Sequence, residues 1–316
     1  MDGDSNTSEV KNMPVLIPNS LPAKKILEQE IVFLISEERA KRQDVRPMRI
    51  AILNLMPQKN VTETQLLRLL GNTPLQVEVT LVHMATHISK NTTPQHLLDH
   101  YVTIDVIQHK QFDGFIITGA PVEQFNFEQV DYWQELTAIF KWSEQHVSAS
   151  FYICWGAQAA LYYQYGIPKY RLNRKLSGIF MHRTLTKSNP LIYGFDDRFY
   201  APHSRYTETH HSDIEKINDL TILADSEEAG IYLLATQDGR QVFVTGHPEY
   251  DQMTLKAEYQ RDCAMDPNLL IPTHYFPNND ILLEPVVTWR SHANLLFENW
   301  LNHCVYQMIA PSLVSR

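Results

Sequence analysis

Three residue types in this chain of 316 residues can together perform acyl transfer: a cysteine, a histidine and a carboxylate. Cys154 stands in the run Phe151-Tyr152-Ile153-Cys154-Trp155-Gly156-Ala157-Gln158-Ala159, where strand-forming residues give way to small residues and good helix formers. The pattern predicts a strand, a sharp turn and a helix. A sulfur at that junction lies at a helix N-terminus, where the dipole and unpaired N–H groups favour thiolate over thiol. The same N–H groups could hold an oxyanion once the sulfur attacks a carbonyl. By itself the window also suits inert packing, since free cysteine is among the most buried residue types.

His247 and Glu249 stand in Gly246-His247-Pro248-Glu249-Tyr250-Asp251, which closes the apolar run 241–245. In extended chain, residues i and i+2 point to one side, so the carboxylate can orient the imidazole and stabilise imidazolium. The chain has 14 histidines, so a lone His-Pro-Glu says little. Joined to Cys154, the pair completes the nucleophile, base and orienter set of covalent acyl chemistry.

The elements that must position these residues alternate in type. Residues 48–55, 75–82, 113–121 and 151–154 read as buried strands, with helices at 62–70 and 132–146 between them. Leu66, Leu67, Leu69 and Leu70 would face inward on the first helix, and Gly71 would stop it. That alternation predicts an α/β fold, a mostly parallel sheet flanked by helices. Chemistry in such sheets sits at the C-terminal strand ends, where Lys59, residues 119–123 and Cys154 all fall. Upstream, apolar spacing predicts a helix over 23–41, and a final helix spans 289–306. Residues 221–224, 229–235 and 241–245 resemble strands of a meander. Between them and the Cys154 helix, Lys175-Leu176-Ser177-Gly178 and Pro202-His203-Ser204-Arg205-Tyr206 read as loops, either facing a ligand or merely solvated.

With 44% hydrophobic and 20% charged residues, the chain can bury a full core. One domain with insertions is expected over 13–309, between tails at 1–12 and 310–316. A net charge of −9 and a pI near 5.8 give no basic stripe, which argues against a nucleic-acid partner. No apolar run is long enough to span a bilayer, and residues 1–10 lack the pattern of a signal peptide, so a cytosolic protein is expected. Cys154, Cys263 and Cys304, odd in number and widely spaced, suit neither a disulfide framework nor a zinc site, and no metal is expected.

In order and spacing, Gly119-Ala120-Pro121, Cys154-Trp155-Gly156-Ala157-Gln158-Ala159 and Gly246-His247-Pro248-Glu249 resemble the class I glutamine amidotransferase-like fold, with its flavodoxin-like layering. Within that fold several further motifs look like the homoserine O-acyltransferases of methionine biosynthesis. They are Asn54-Leu55-Met56-Pro57 with Lys59, Thr62-Glu63-Thr64-Gln65, the two segments at 175–178 and 202–206, and His247-Pro248-Glu249-Tyr250-Asp251. The resemblance runs from about Met13 to the final helix.

It implies that Cys154 takes the acyl group as a thioester, that His247 is general acid and base, and that Glu249 holds His247. It also implies that Lys175, Ser204 and Arg261 bind the amino-acid substrate, with a guanidinium at 261 able to clamp a carboxylate. The N–H groups of Trp155 and Ala120 are the oxyanion-hole candidates, since Pro121 supplies no donor. Lys59 falls near the site without a role. In the family, the position of Glu123 is glutamate in users of acetyl-CoA and glycine in users of succinyl-CoA. A carboxylate there fills the space beyond two carbons and repels the free carboxylate of succinate. Acetyl-CoA as co-substrate with L-homoserine is therefore expected, with succinyl-CoA second, no bound cofactor, and a homodimer. A glutaminase, which uses the same three residues, and an inactive binding module are the competing readings. The Gly-Ala-Pro turn departs from the Gly-Gly-Pro-Gly of the glutaminases, and the intact Cys, His and Glu set argues against the module.

Overall fold

The computed structural model describes residues 15–30, 32, 34–35, 46–87, 89, 91–264, 266 and 268–307. The expected tails at 1–12 and 310–316 lie outside these residues. The strands, in chain order, are β1 (Val15–Leu16), β2 (Leu34–Ile35), β3 (Met48–Leu53), β4 (Val77–Val82), β5 (Tyr101–Val102) and β6 (Phe112–Ile117). They continue as β7 (Val147–Ile153), β8 (Tyr170–Thr184), β9 (Arg198–Glu208), β10 (Leu220–Ser226), β11 (Gly230–Thr236) and β12 (Gln241–Val244). All join one sheet in the order β2-β1-β4-β3-β6-β7-β12-β11-β10-β8-β9, with β5 beside β4.

The pairs from β2 across to β12 are parallel, and the pairs from β12 to β9 are antiparallel. The register sets the site. Leu53 lies beside Ile117, Ile117 beside Tyr152, and Ile153 beside Val244. The segments that leave β3, β6, β7 and β12 therefore emerge along one edge. The chain turns outward to β4 after β3 and returns on the other side at β6, which opens a crevice at that edge.

Side chains alternate across the sheet and fill two layers. Phe151 and Ile153 pack with Leu66, Leu70, Phe297 and Trp300, beneath helices Lys59–Leu70 and Arg290–Asn299. Tyr152, from the same strand, packs with Phe140, Trp155 and Phe243 beneath helices Trp133–His146 and Trp155–Tyr165. The sheet is thus flanked on both faces, as the alternation of elements predicts. Among the described residues, no helix is long and apolar enough to cross a membrane.

Three expectations are corrected, and one helix is added. The first helix is Ala23–Gln29, not 23–41, and Leu34–Ile35 is instead an edge strand pairing β1. The intervening sequence Ile31-Val32-Phe33 is β-branched and aromatic, which favours extended chain over helix; residues 36–45 lie outside the described set. Residues 175–178 and 202–206 are not loops but paired strand, with Ser177 opposite Ser204 and Gly178 opposite His203. Their polar side chains misled the reading because one face of this hairpin lines a cavity and not an apolar core. The polar run after β4 leads to an unanticipated helix, Pro94–His100, capped by Thr93, whose Oγ1 accepts from His96 N. The last helix is α-helical only to Asn299 and continues as a π-helix over Trp300–Tyr306.

One glycine fastens the hairpin to the rest. Gly178 has φ of 148°, and a Cβ there would fall 2.2 Å from Thr273 O. Thr273 instead exchanges two backbone hydrogen bonds with Ser177 and Ile179, both 2.8 Å. That junction lays Tyr275 and Phe276 against Ile179, Tyr250 and Leu255.

Candidate active site

Strand β7 delivers Cys154 to the turn before helix Trp155–Tyr165. Its backbone has φ 49° and ψ −116°, a conformation that L-residues with a Cβ rarely adopt. The turn is held by Cys154 N donating to Val244 O at 2.7 Å and by Cys154 O accepting from Ala157 and Gln158 N at 3.0 and 3.2 Å. It is also held by close packing at Gly156, where a Cβ would fall 2.6 Å from Thr118 O and 2.9 Å from Ile117 O. Gly156→Ala therefore forces the helix off β6, and a loss of about 1–3 kcal/mol is expected, read as a lower urea midpoint.

His247 follows β12, with its N–H donating to Pro202 O at 2.8 Å. Its Nδ1 meets Glu249 Oε1 at 2.8 Å, and both side chains are buried. The contact is made by a turn, in which Tyr250 N donates to His247 O, and not by the strand alternation expected from the sequence. With Nδ1 engaged by Glu249, Nε2 is left for the sulfur side. Burial alone would lower the His247 pKa, yet the charges of Cys154 and Glu249 overcome it and hold the imidazole well above its usual range. Gly119 spaces the pair: a Cβ there would lie 3.3 Å from Cys154 Cβ and 3.4 Å from His247 Cε1.

Cys154 and His247 open into a cavity of about 430 Å³ that also receives Ala120, Glu123, Lys175, Ser204 and Arg261. Trp155 is buried behind it, and its N–H belongs to the first helical turn, where no intrahelical acceptor exists. Glu123 is fixed through its carbonyl, which accepts from Lys169 Nζ at 2.7 Å. Burial raises the Glu123 pKa, and Lys175 and His247 pull against that. Lys59 stays outside this cavity and borders a separate one of about 20 Å³ with Asn54 and His83. Its Nζ donates to Asn54 O and, at 3.4 Å, to Met56 O, so it shapes the turn whose Met56 and Pro57 wall the cysteine cavity. Burial lowers its pKa to about 8 against the opposing charge of Glu63. A larger cavity, of about 780 Å³ beside Glu30, Arg68 and Arg290, holds neither cysteine nor histidine.

Sequence reading did not single out Glu258, Asp262 and Tyr250. Lys175 Nζ lies 2.7 Å from Asp262 Oδ2 and 3.6 Å from Glu258 Oε2. Ser204 Oγ donates to Glu258 Oε2, Tyr250 OH donates to Glu258 Oε1 at 2.7 Å, and Arg261 Nε donates to Asp262 Oδ1 at 2.7 Å. The signal was present in the spacing: Glu258, Arg261 and Asp262 share one face of helix Thr254–Cys263.

The model of the homoserine O-succinyltransferase family matches residues 14–311. The chain belongs to that family. Among its relatives, the homoserine O-acetyltransferase of Acetivibrio thermocellus is 60% identical over 295 residues, covering 93% of this chain and 97% of the relative. The homoserine O-acetyltransferase of a Geobacillus strain is 59% identical over 93% of this chain and 98% of its own length. A glutamine amidotransferase from Thermotoga maritima superposes with a TM-score of 0.52 over 83% of this chain and all of the other, at 12% identity. That likeness concerns the fold alone, and it places this homoserine O-succinyltransferase family member on the class I glutamine amidotransferase-like architecture.

Behind the site of this family member, His182 on β8 and His203 on β9 face one another, Nε2 to Nε2, at 2.9 Å. Both are buried. Burial, the larger influence, pushes the His182 pKa down to about 3, and burial with the charges of His182 and Arg205 holds His203 well below its usual range. A histidine whose folded pKa lies below its unfolded value binds fewer protons when folded. Its contribution to stability is complete above about pH 6.5 and is lost as pH falls toward the folded pKa near 3. The melting temperature is expected to fall steeply with acidification in that window, and His182→Gln is expected to flatten the fall. Circular dichroism melts at stepped pH would show it; equal slopes in the two proteins would reject the assignment.

Proposed function

We infer that the chain is a homoserine O-acetyltransferase that works through an acyl-cysteine at Cys154. The observation that carries the reading is the shared cavity. Cys154 and His247, the latter backed by buried Glu249, open on one side, and a wall with both charge signs, Lys175 and Arg261 against Glu258 and Asp262, lies on the other. Such a wall suits a zwitterionic amino acid, with a cation for its carboxylate and carboxylates for its ammonium. The relatives named homoserine O-acetyltransferase, at 59–60% identity, support the same donor as Glu123.

In this reaction Cys154 acts as a thiolate beside a His247 imidazolium steadied by Glu249. The sulfur adds to the carbonyl of acetyl-CoA, and the N–H groups of Trp155 and Ala120 receive the oxyanion. The carbon–sulfur bond to CoA then breaks, and CoA leaves as a thiol with the proton of His247. The neutral imidazole next removes the proton of the homoserine hydroxyl as that oxygen attacks the thioester. Collapse of the second tetrahedral adduct expels Cys154 as thiolate beside imidazolium, which restores the starting state. Thioester formation is nearly balanced in energy, and formation of the oxygen ester draws the sequence forward.

Succinyl-CoA is the second reading, because the family is named for succinyl transfer. Incubation of the protein with L-homoserine and each donor separates them. O-acetylhomoserine and free CoA are expected from acetyl-CoA. Transfer from neither donor, or ammonia from glutamine without CoA, would overturn the acyltransferase reading.

A further inference from the structure

One residue beyond Ser204 on β9, Arg205 is buried at 3% exposure. Its Nε donates to His203 Nδ1 at 3.5 Å, its Nη1 to Thr207 O at 2.7 Å, and its Nη2 to Ala229 O. All three acceptors are neutral. Of the carboxylates of neighbouring segments, Asp225 pairs with Arg183 and Glu249 with His247, and Glu208, whose charge reaches Arg205, stands part-exposed beside His210. A guanidinium cannot escape burial by losing its proton, and a buried charge without a counter-charge costs several kcal/mol. Some nearby negative charge must therefore be matched to it.

The packing leads to Cys154. Arg205 binds Thr207 O, Thr207 Oγ1 donates to Gln158 Oε1 at 2.8 Å, and Gln158 N donates to Cys154 O at 3.2 Å. Three residues before Arg205, Pro202 O accepts the N–H of His247. Strand β9 thus runs beneath nucleophile and base together. Burial lowers the Arg205 pKa, while the charges of Cys154 and Glu208 raise it, so the cysteine lies within electrostatic reach. The titratable groups around the pair are His203 and Glu208 on β9, His182 on β8, and His247, Glu249 and Tyr250 on the turn after β12.

We propose that Arg205 is a positioning residue acting through Cys154: its fixed buried charge balances the Glu249 carboxylate and so permits the thiolate. The proposal rests on the reading of Cys154 as the nucleophile. With Arg205 present, thiolate, imidazolium, carboxylate and guanidinium sum to zero. The acyl-enzyme, with a neutral imidazole, also sums to zero. Without Arg205, loss of the thiol proton beside imidazolium takes the buried site from zero to one uncompensated negative charge, so the thiolate is disfavoured.

The test is the pH profile of Cys154 alkylation by iodoacetamide in the full chain, read on the Cys154 peptide by mass spectrometry. Arg205→Met is expected to move the midpoint upward by about one unit or more, with alkylation at low pH slowed about tenfold. Arg205→Lys, which keeps the charge, is expected to retain the wild-type midpoint. A folded Arg205→Met protein with the wild-type profile would overturn the proposal, as would Arg205→Lys shifting as far as Arg205→Met. If Arg205→Met does not fold, the double variant Arg205→Met with Glu249→Gln restores neutrality and is expected to recover soluble, folded protein; no recovery would equally overturn it. Alkylation requires no acyl donor, so its outcome is independent of the acyltransferase reading. That reading fails instead if acetyl-CoA leaves no adduct on wild-type Cys154.

Discussion

Cys154→Ala lowers kcat/KM for acetyl transfer to homoserine by at least about 10⁴-fold, the scale on which loss of a covalent nucleophile is felt. The expected loss is this large because neither of the other two cysteines lines the cavity. Cys263 lies at the end of helix Thr254–Cys263 and Cys304 is buried in the terminal π-helix, where burial pushes its thiol up to about 12. The side chain of Cys154 is small and faces open space on one side, so the fold should survive truncation, and unchanged circular dichroism is expected. The two half-reactions give an internal check. Release of CoA from acetyl-CoA without homoserine, and a mass increase of one acetyl group, are both lost in Cys154→Ala and retained in the wild type. A variant that still transfers acetyl within tenfold of wild type would mean that homoserine attacks acetyl-CoA directly and that the cysteine is structural.

How far the sequence discloses this arrangement depends on what fixes each part. The strand, turn and helix around Cys154 are local: an apolar run ends, small residues follow, and Gly156 meets the carbonyls of Ile117 and Thr118. Such features can be read directly from residue order. The meander of β10 to β12 is legible for the same reason, since each strand is apolar and bounded by turn residues. The hairpin of β8 and β9 is not, because Lys175, Ser204 and Arg205 occupy strand positions for the sake of the cavity and the charges beneath it. Polar composition there reports the site and conceals the strand. His247 and Glu249 could be paired from their spacing, but the turn that joins them depends on Pro248 and on Pro202 O from a strand 45 residues earlier. Arg205 has no sequence signature of its own: its significance lies in having neutral partners, which only the fold reveals.

Glu123→Gly is expected to raise the ratio of succinyl to acetyl transfer by about 10³-fold. Two effects combine in the wild type. The side chain occupies the cavity beside Cys154 and Lys175, which limits the acyl chain, and its charge opposes the terminal carboxylate of a succinyl group. At about 4 Å and an effective dielectric near 20, that repulsion is on the order of 4 kcal/mol, or about 10³-fold in rate. Burial raises the Glu123 pKa, so the charge is lost at a higher pH than for an exposed glutamate. The electrostatic share of the discrimination therefore weakens on acidification, whereas the steric share does not. Glu123→Gln separates them, since it keeps the volume and removes the charge. If repulsion dominates, Glu123→Gln gains succinyl transfer nearly as well as Glu123→Gly, and the wild type gains some as pH is lowered. If volume dominates, only Glu123→Gly gains it, at every pH. Steady-state kcat/KM for both donors at two pH values, in all three proteins, would decide between them. A donor ratio unchanged in Glu123→Gly would remove Glu123 from the acyl pocket altogether and leave the choice of donor to the opposite wall, where Lys175 and Arg261 stand.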